Sequence, residues 1–244
     1  MWHFRSAELY GRDAIRASKR ISNPGCYATA GQLLIAPLVQ HLKAGSIPTI
    51  FGMSGYSGAG TDMVKDPNGG KPETKPKVTP ESLEGGVKPY KLTGHIHEYE
   101  MGHHLSRLAN AGVEVAFIPS VAPWFSGIIA TVSIPLSDTL SARDVINLFE
   151  EKYKGEKLIK FMKDVPEIKH IRDQQGWVVG GFQVTPKGDR VVIVGGVDNL
   201  LKGAATQCLQ VRCFGCCLSA LHLTIYKNLN IALGIDEYAG IPLA

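Results

Sequence analysis

Short strand-like runs alternate with helix-like segments along most of this chain, and this alternation restricts the fold more than any single motif does. Runs rich in β-branched residues occur at positions such as 128–134 and 190–194, and helical patterns occur at 97–111 and 141–153. Elements that alternate in this way bury their apolar sides by packing in layers. The sequence has no internal repeat, so we predict an α/β or α+β layer fold.

Two turn-forming stretches divide the rest of the pattern. Residues 22–25 separate a charged helical segment at 8–20 from an apolar helical segment at 26–45. Residues 61–89 are rich in Lys, Pro, Gly and Thr and predict a long loop or lid. Further predicted elements are strands at residues 47–53, 113–119 and 182–185 and a helix at residues 198–234.

Composition limits the functional classes. The 244 residues include 26 basic and 22 acidic ones without a long block of one sign, so neither nucleic acid nor an anionic membrane is indicated as a partner. No apolar run has the length of a membrane-spanning helix, and the first residues lack the apolar core of a signal peptide, so we expect a soluble, unsecreted protein. Four of the five cysteines crowd into positions 208–217, which favours a reducing compartment over a disulfide framework.

The motif Ser22-Asn23-Pro24-Gly25-Cys26 places a thiol at a predicted helix N-terminus. Unpaired N–H groups and the positive end of the helix dipole favour thiolate there, so we expect a lowered pKa for the Cys26 thiol and a nucleophilic role. Cysteine is also often buried, so position alone leaves inert packing as the alternative. The Asn-Pro-Gly turn favours catalysis.

Residues 54–60, SGYSGAG, follow a predicted strand. Their three glycines permit close approach of a ligand, and their N–H and hydroxyl groups can donate to a phosphate. An ordinary Gly-Ser turn is the alternative, because the loop is neither a Gly-x-Gly-x-x-Gly motif before a helix nor a Walker loop.

His95, His97 and Glu100 are candidate acid/base groups. Histidine titrates near neutral pH and suits a base, and Glu100 lies one helical turn after His97, where it can orient an imidazole. A zinc site is the alternative, although no His-Glu-x-x-His pattern is present. The neighbouring His103 and His104 are expected on the solvated surface.

Asp198 and Asn199 lead the last predicted helix, where N-capping is the default interpretation. The same Asn199 side chain can bind the carboxamide of a nicotinamide. The cysteines at 208–217 with His222 form a second, weaker zinc candidate.

The last helix contains an irregularity in its apolar stripe. Residues 201, 205 and 208 form one stripe and residues 229, 232 and 233 another, and the 17 residues at 211–227 leave the two rotated by about 260°. We predict that residues 211–227 are an insertion, such as a retained intron.

Five segments in order carry a family resemblance: SNPGCYATA, SGYSGAG, KLTGHIHEYE, IPS-APW-SGIIATV and VDNLLKGAATQ. They are similar to those of N-acetyl-gamma-glutamyl-phosphate reductases, NADPH-dependent enzymes of arginine biosynthesis related to aspartate-semialdehyde and glyceraldehyde-3-phosphate dehydrogenases. The resemblance covers about residues 7–210 and 228–242, and APWFSG is typical of the fungal mitochondrial type. It implies an α/β catalytic domain of the glyceraldehyde-3-phosphate dehydrogenase kind, in which helices flank a mixed sheet and a C-terminal helix returns.

The resemblance also implies a mechanism. Cys26 attacks the acyl phosphate, phosphate leaves, and the thioester accepts hydride from NADPH to give the semialdehyde. His97 or His95 is then the acid/base residue, Glu100 is the matching carboxylate, and the Cys26 N–H is an oxyanion donor. The implied substrate contacts are Asn23, Tyr90 and Ser54, the implied cofactor contacts are Ser57, Gly58, Ala59, Gly60 and Asn199, and no metal is implied. Many relatives carry Arg where Ser126 stands.

The Gly-x-Gly-x-x-Gly Rossmann motif with which the family begins is missing from this sequence. We therefore expect residues 1–25 to be the remnant of that domain, 26–197 the catalytic, substrate-binding and dimerisation domain, and 198–244 the return helix. We therefore expect a truncated enzyme that lacks most of the Rossmann domain, forms a homo-oligomer and has impaired activity. By resemblance it belongs to the mitochondrial matrix, without a transit peptide in this chain, and acetylglutamate kinase from the same precursor is a possible partner.

Three alternatives stay open at this stage. The chain can be a non-catalytic dimerisation fragment, or a metal-binding module built on the histidines and the cysteine cluster. Aspartate-semialdehyde dehydrogenase activity is the third alternative, against which the His-x-His pair and the SGYSGAG loop argue.

Overall fold

A computed structural model describes residues 3–4, 6–17, 21–64 and 73–210 of the chain. The predicted insertion at 211–227, and with it Cys213, Cys216 and Cys217, lies outside the described residues, as does the rest of the predicted return helix.

A mixed sheet of seven strands organises the described part of the chain. The strands are β1 (His3–Phe4), β2 (Ile21–Ser22), β3 (Thr49–Gly55), β4 (Thr61–Val64), β5 (Glu73–Pro76), β6 (Lys88–Pro89), β7 (Ala116–Ala122), β8 (Ile128–Pro135), β9 (Ile159–Phe161), β10 (Trp177–Val184) and β11 (Arg190–Val197). The order in the large sheet is β6-β7-β3-β8-β11-β10-β9, with β3–β7 and β9–β10 parallel and the other pairs antiparallel. This is the predicted layer fold with a mixed sheet.

The central strands β8 and β11 pair with each other, and buried residues alternate with partly exposed ones along β8. In β8 every second residue from Ile128 to Ile134 is buried, the period of a strand with one fully covered face. β11 pairs with it along its whole length, from Arg190↔Pro135 to Val197↔Ile128. The predicted hairpin of β10 and β11 is confirmed, although both strands are longer than the sequence pattern indicated.

Helices cover one face of this sheet. The helices are α1 (Ala7–Tyr10), α2 (Arg12–Arg16), α3 (Cys26–Ile35), α4 (Pro80–Leu83), α5 (Ile96–Ala109), α6 (Ala142–Lys152), α7 (Ile168–Ile171) and α8 (Thr206–Gln210), with 3₁₀ segments at Ala36–His41 and Tyr56–Ala59 and a π-helical turn at Leu201–Ala205. α3, α5 and α6 pack on the buried face through one apolar cluster. The predicted cap of α6 is confirmed, because the Ser141 hydroxyl accepts the Asp144 N–H and the Asp144 carboxylate accepts the Ser141 N–H.

Three sequence expectations need correction. The helix predicted at 8–20 is broken at Gly11, whose φ of 73° no helix accepts. The helix predicted at 26–45 ends as α-helix at Ile35, because Pro37 has no N–H to continue the ladder, and a 3₁₀ segment follows. The predicted loop at 61–89 holds the β4–β5 hairpin, α4 and β6.

The opposite face of the sheet is open around β3. Phe51 and Met53 point out of this face with exposures of 50% and 36%, and the register places Ile118, Ile129 and Thr131 beside them. Adjacent exposed apolar side chains of this kind form a contiguous patch rather than scattered single residues. Among the described helices, none combines the length and apolar character needed to cross a membrane.

The buried cluster should respond to truncation much more than the exposed aromatic residues do. We expect Phe149→Ala, at a fully buried position that contacts Phe182 and Tyr153, to lower the free energy of unfolding by about 3–5 kcal/mol. Phe125→Ala, at a residue 53% exposed, should cost less than about 1 kcal/mol. Chemical denaturation measures both values, and equal losses would contradict this assignment of the core.

Candidate active site

Cys26 is the first residue of α3, where the sequence predicted it. Gly25 is the N-cap in extended conformation, and no side chain caps the helix start. The N–H groups of Cys26 and Tyr27 lower the thiol pKa as expected, but burial outweighs them and raises the pKa of Cys26 to about 11, with a small further contribution from the Glu100 carboxylate. The expectation of a lowered pKa was therefore wrong for this geometry, because desolvation of the thiolate exceeds the effect of the helix N-terminus.

Gly25 is the point where α5 approaches the start of α3. A β-carbon built on Gly25 would lie 2.1 Å from His97 Nε2, so the imidazole ring rests directly on the glycine backbone. The Gly25 N–H donates to Glu100 Oε1 at 3.1 Å. Both groups predicted as acid/base candidates on α5 thus meet the residue that precedes the thiol.

The two histidines of the His-x-His pair occupy different environments. His95 is the N-cap of α5: its Nδ1 accepts the His97 N–H at 3.2 Å, and its own N–H donates to Glu98 Oε2 at 3.1 Å. The other carboxylate oxygen of Glu98 accepts the Phe117 N–H from β7 at 3.0 Å. His95 therefore has one ring nitrogen engaged in holding the helix start.

Burial favours the uncharged forms of both His97 and Glu100. Burial, and then the neighbouring His95, lower the pKa of His97 to about 4, and its Nδ1 is buried with no hydrogen-bond partner among the described residues. Burial raises the pKa of Glu100 to about 7, partly offset by the Gly25 N–H. Glu100 bonds to Gly25 rather than to an imidazole, so the expectation that it orients a histidine was wrong in this geometry.

A wall of the site comes from the π-helical turn after β11. A β-carbon built on Gly203 would lie 2.8 Å from Cys26 Cβ, so only glycine permits this approach. Asn23 Nδ2 donates to the Ala204 carbonyl at 3.2 Å, while its Oδ1 is buried without a partner among the described residues. Gly203 was absent from the predicted site, and the only sequence signal was a glycine inside a helical pattern.

Several N–H and hydroxyl donors of the Gly-Ser loop, residues 54–60, form hydrogen bonds with other groups of the protein. The N–H groups of Gly55, Tyr56 and Ser57 bond to the carbonyls of Gly127, Trp124 and Phe125, at 2.9, 2.9 and 3.0 Å respectively. The buried Ser54 hydroxyl donates to the Gly55 carbonyl at 2.9 Å. The loop continues as the 3₁₀ segment Tyr56–Ala59, and the Gly60 carbonyl after it accepts the Lys77 N–H at 3.0 Å.

Asp198 and Asn199 bind the surrounding loops together. Asp198 caps the next turn through the N–H groups of Leu200 and Leu201, as the N-cap interpretation predicted, and also accepts the Ser126 hydroxyl at 2.8 Å. Asn199 Oδ1 accepts the Gly127 N–H at 2.8 Å and its Nδ2 donates to Ser57 Oγ at 3.0 Å. The buried Ser126 thus has a partner within the protein.

Tyr90 completes the site on the side of β6. Its ring lies 6.0 Å from that of His95, and burial, followed by the proximity of Cys26, raises the pKa of Tyr90 to about 12. Of the two surface histidines expected on α5, His103 is exposed but His104 is buried. The expectation for His104 was wrong because it shares a helix face with Met101 and Leu105.

Metal binding was weighed as an alternative for these histidines. The described residues contain no group of three or more His, Cys, Asp and Glu side chains placed to hold an ion.

Comparison with known proteins places this site in a family context. The family pattern described as "Semialdehyde dehydrogenase, dimerisation domain" matches residues 26–199. The chain is 46% identical over 241 residues to "Protein arg-6, mitochondrial" of Neurospora crassa, covering 99% of this chain and 24% of that protein. It is 42% identical over 241 residues to "N-acetyl-gamma-glutamyl-phosphate reductase" of Stenotrophomonas maltophilia, covering 99% of this chain and 64% of that protein.

A solved structure shares the fold. Aspartate semialdehyde dehydrogenase II from Vibrio cholerae superposes with a TM-score of 0.64 at 18% identity, over 84% of this chain and 65% of that one. The chain therefore spans about a quarter of the length of the fungal relatives and about two thirds of the bacterial ones.

The Glu100 carboxylate should restrain ionisation of the thiol. Because its negative charge raises the pKa of Cys26, we expect Glu100→Gln to accelerate alkylation of Cys26 at pH 8 by about two- to threefold. The difference should vanish below about pH 6, where the wild-type carboxyl, with its pKa of about 7, is neutral as well. Iodoacetamide kinetics followed by peptide mass measure the effect, with the exposed Glu114→Gln as control, and an unchanged or slower rate at pH 8 would contradict it.

Proposed function

We propose, because this chain belongs to the semialdehyde dehydrogenase family, that it reduces N-acetyl-gamma-glutamyl phosphate to N-acetyl-glutamate 5-semialdehyde and phosphate. The observation that carries the proposal is the position of Cys26 at the start of α3, with His97 packed against the preceding Gly25. Relatives that are 40–42% identical to the chain bear the name of this reductase. The structural neighbours named as aspartate-semialdehyde dehydrogenases are below 20% identity and support the fold alone.

Cys26 is the nucleophile of this proposal. Its Sγ forms a bond to the acyl carbon, the bond from that carbon to the phosphate oxygen breaks, and phosphate leaves with the electron pair. The product on the enzyme is a thioester, whose carbonyl accepts hydride far more readily than a carboxylate does. The N–H groups of Cys26 and Tyr27 at the helix start already favour negative charge at the sulfur and are the donors available to a developing oxyanion beside it.

His97 is the better acid/base candidate of the pair. His95 uses Nδ1 to cap α5, whereas the Nε2 edge of His97 faces the backbone next to the nucleophile. A histidine that is neutral near pH 7 is ready to take the thiol proton, and the imidazolium then returns a proton to the product side. Tyr90 lies next to His95 and close enough to Cys26 for the pKa of Tyr90 to be raised by it, which supports the assignment of Tyr90 to substrate binding.

A buried amide supports the assignment of Asn23 to the substrate. Its Oδ1 has no partner among the described residues, so it can accept a hydrogen bond from the substrate amide, and one N–H of Nδ2 is already used by Ala204. The Ser54 hydroxyl donates to its own chain, so it contributes to the wall of the site rather than to a free donor set.

The family uses a nicotinamide cofactor, and the described residues fit one end of it. A β-carbon on Gly58 would lie 2.5 Å from Ser54 Oγ and 3.5 Å from Asn199 Nδ2, so glycine lets this loop pack closely against both side chains. Ser57, Gly58, Ala59, Gly60 and Asn199 are the residues proposed to hold the nicotinamide end, and NADP is the proposed dinucleotide. When bound, it supplies the hydride that reduces the thioester.

The open sheet face supports assembly into a homo-oligomer. A dimerisation-domain family and an exposed apolar strand face at Phe51 and Met53 both point to a second copy of this chain as the partner. The fungal relatives carry the word mitochondrial in their names, which supports the mitochondrial matrix as location. Those relatives are about four times as long as this chain, which leaves room for the acetylglutamate kinase proposed as a further partner.

The first half of the reaction can be tested without a cofactor. We expect the folded chain mixed with N-acetyl-gamma-glutamyl phosphate to release phosphate and to carry an acyl adduct on Cys26, detected by intact mass. Cys26→Ser should abolish both signals, and the matched Cys208→Ser should keep them. A folded chain that forms no adduct would favour a non-catalytic dimerisation fragment instead.

The oligomer should depend on the exposed strand face. We expect Phe51→Lys to shift the chain towards monomer, because it places a charge in the centre of an apolar contact. Met63→Lys, at a residue 75% exposed on the β4–β5 hairpin, is the matched control and should leave the assembly unchanged. Analytical ultracentrifugation over a concentration series decides, and equal behaviour of both variants would exclude this face.

A further inference from the structure

A fully buried ion pair lies behind the wall of the site. Lys202 Nζ donates to Glu8 Oε1 at 2.5 Å, and both side chains are completely removed from solvent. Gln210 bonds to both partners, and the Ser6 hydroxyl donates to Glu8 Oε2 at 2.6 Å. The mechanism described above uses none of these groups.

The position of Lys202 in the chain connects this pair to the nucleophile. Lys202 lies in the π-helical turn directly before Gly203, whose missing β-carbon would meet Cys26 Cβ at 2.8 Å and Cys26 Cα at 3.4 Å. The turn is held by i to i−5 bonds, from the Gly203 N–H to the Asp198 carbonyl and from the Ala205 N–H to the Leu200 carbonyl. π-helical turns are rare and often occur at functional sites.

A buried ion pair is a poor source of stability but a strict geometric restraint. Desolvation of two charges offsets most of their attraction, whereas a shift of either charge away from its partner is strongly unfavourable. Lys202 is adjacent to Gly203, so a restraint on the Lys202 ammonium also restrains the backbone that contacts Cys26. The Asn23 bond to Ala204 ties the loop before the thiol to the same turn.

We propose that Lys202 and Glu8 form a positioning pair for Cys26, which holds Gly203 against the nucleophile and keeps water away from its sulfur. The pair touches neither substrate nor reacting atoms and acts through the π-helical turn. The inference rests on the proposed function only in treating Cys26 as the nucleophile. Glu100 on α5 is the charged group that acts on the thiol pKa, Tyr90 is close enough to Cys26 for its own pKa to be raised, and His97 lies against the adjacent Gly25; none of the three is changed in the variants below.

The test measures the reactivity of Cys26 without any substrate, so failure of the acyl-transfer experiment leaves it valid. In the full chain, Glu8→Gln combined with Lys202→Met removes both charges and leaves no buried charge unpaired. We expect iodoacetamide to alkylate Cys26 in this double variant at least about threefold faster at pH 8, with the midpoint of the rate–pH profile shifted towards the ordinary thiol value.

A second ion pair in the same N-terminal region is the matched control. Arg12 binds Glu156 through two hydrogen bonds at 3.0 and 2.7 Å, and neither residue is part of the π-helical turn. Arg12→Met should leave the alkylation profile of Cys26 unchanged. Glu8→Gln alone, which keeps an acceptor for Lys202, should give an intermediate rate.

Two results would overturn the proposal. One is a folded double variant whose Cys26 profile coincides with that of the wild type. The other is failure of every Glu8 and Lys202 variant to fold while Arg12→Met folds, because the pair would then act on overall stability and not on the thiol.

Discussion

The close approach of three backbone segments at the start of α3 is the constraint on which the rest of the site depends. The His97 ring lies against Gly25 on one side and the Gly203 backbone contacts Cys26 on another, so the Cys26 side chain is only partly accessible to solvent. Contacts this short exclude any β-carbon at the two glycines. Burial therefore outweighs the N–H groups of the helix start in setting the pKa of the Cys26 thiol.

The fully buried Glu8 and the partly buried Glu100 show how strongly the partner of a carboxyl group determines its charge state. Glu8 and Glu100 both lose solvent, and burial alone raises the pKa of each. The Lys202 ammonium reverses the shift for Glu8 and lowers its pKa to about 2, whereas Glu100 has only a backbone N–H and reaches about 7. The first carboxylate is thus a permanent charge, and the second can change its charge near neutral pH close to Cys26.

The sequence allowed the layer fold, the hairpin, the capped α6 and the position of Cys26 to be predicted, because each rests on a local period or a local cap. It did not allow the thiol pKa, the partner of Glu100 or the burial of His104 to be predicted. Those depend on which elements meet in space, and no local pattern places α5 or the π-helical turn against residue 25 or 26. The same holds for the Gly-Ser loop. Its N–H donors can be identified in the sequence, but the carbonyls of residues 124, 125 and 127 that accept their hydrogen bonds come from a different loop.

Strand β3 contributes residues both to the candidate active site and to the exposed apolar face proposed for assembly. Alternate residues of this strand point to opposite faces, so Ile50 enters the core while Phe51 and Met53 enter the open face, and Ser54 then leads into the loop beside Asn199. A shift of one residue in its register would expose the core side and bury the open side together. The seven paired positions with β7 and the six with β8 prevent such a shift. A second chain docked on Phe51 would therefore contact the same strand that leads into the 3₁₀ segment Tyr56–Ala59, so the proposed assembly and the proposed cofactor contacts share one element.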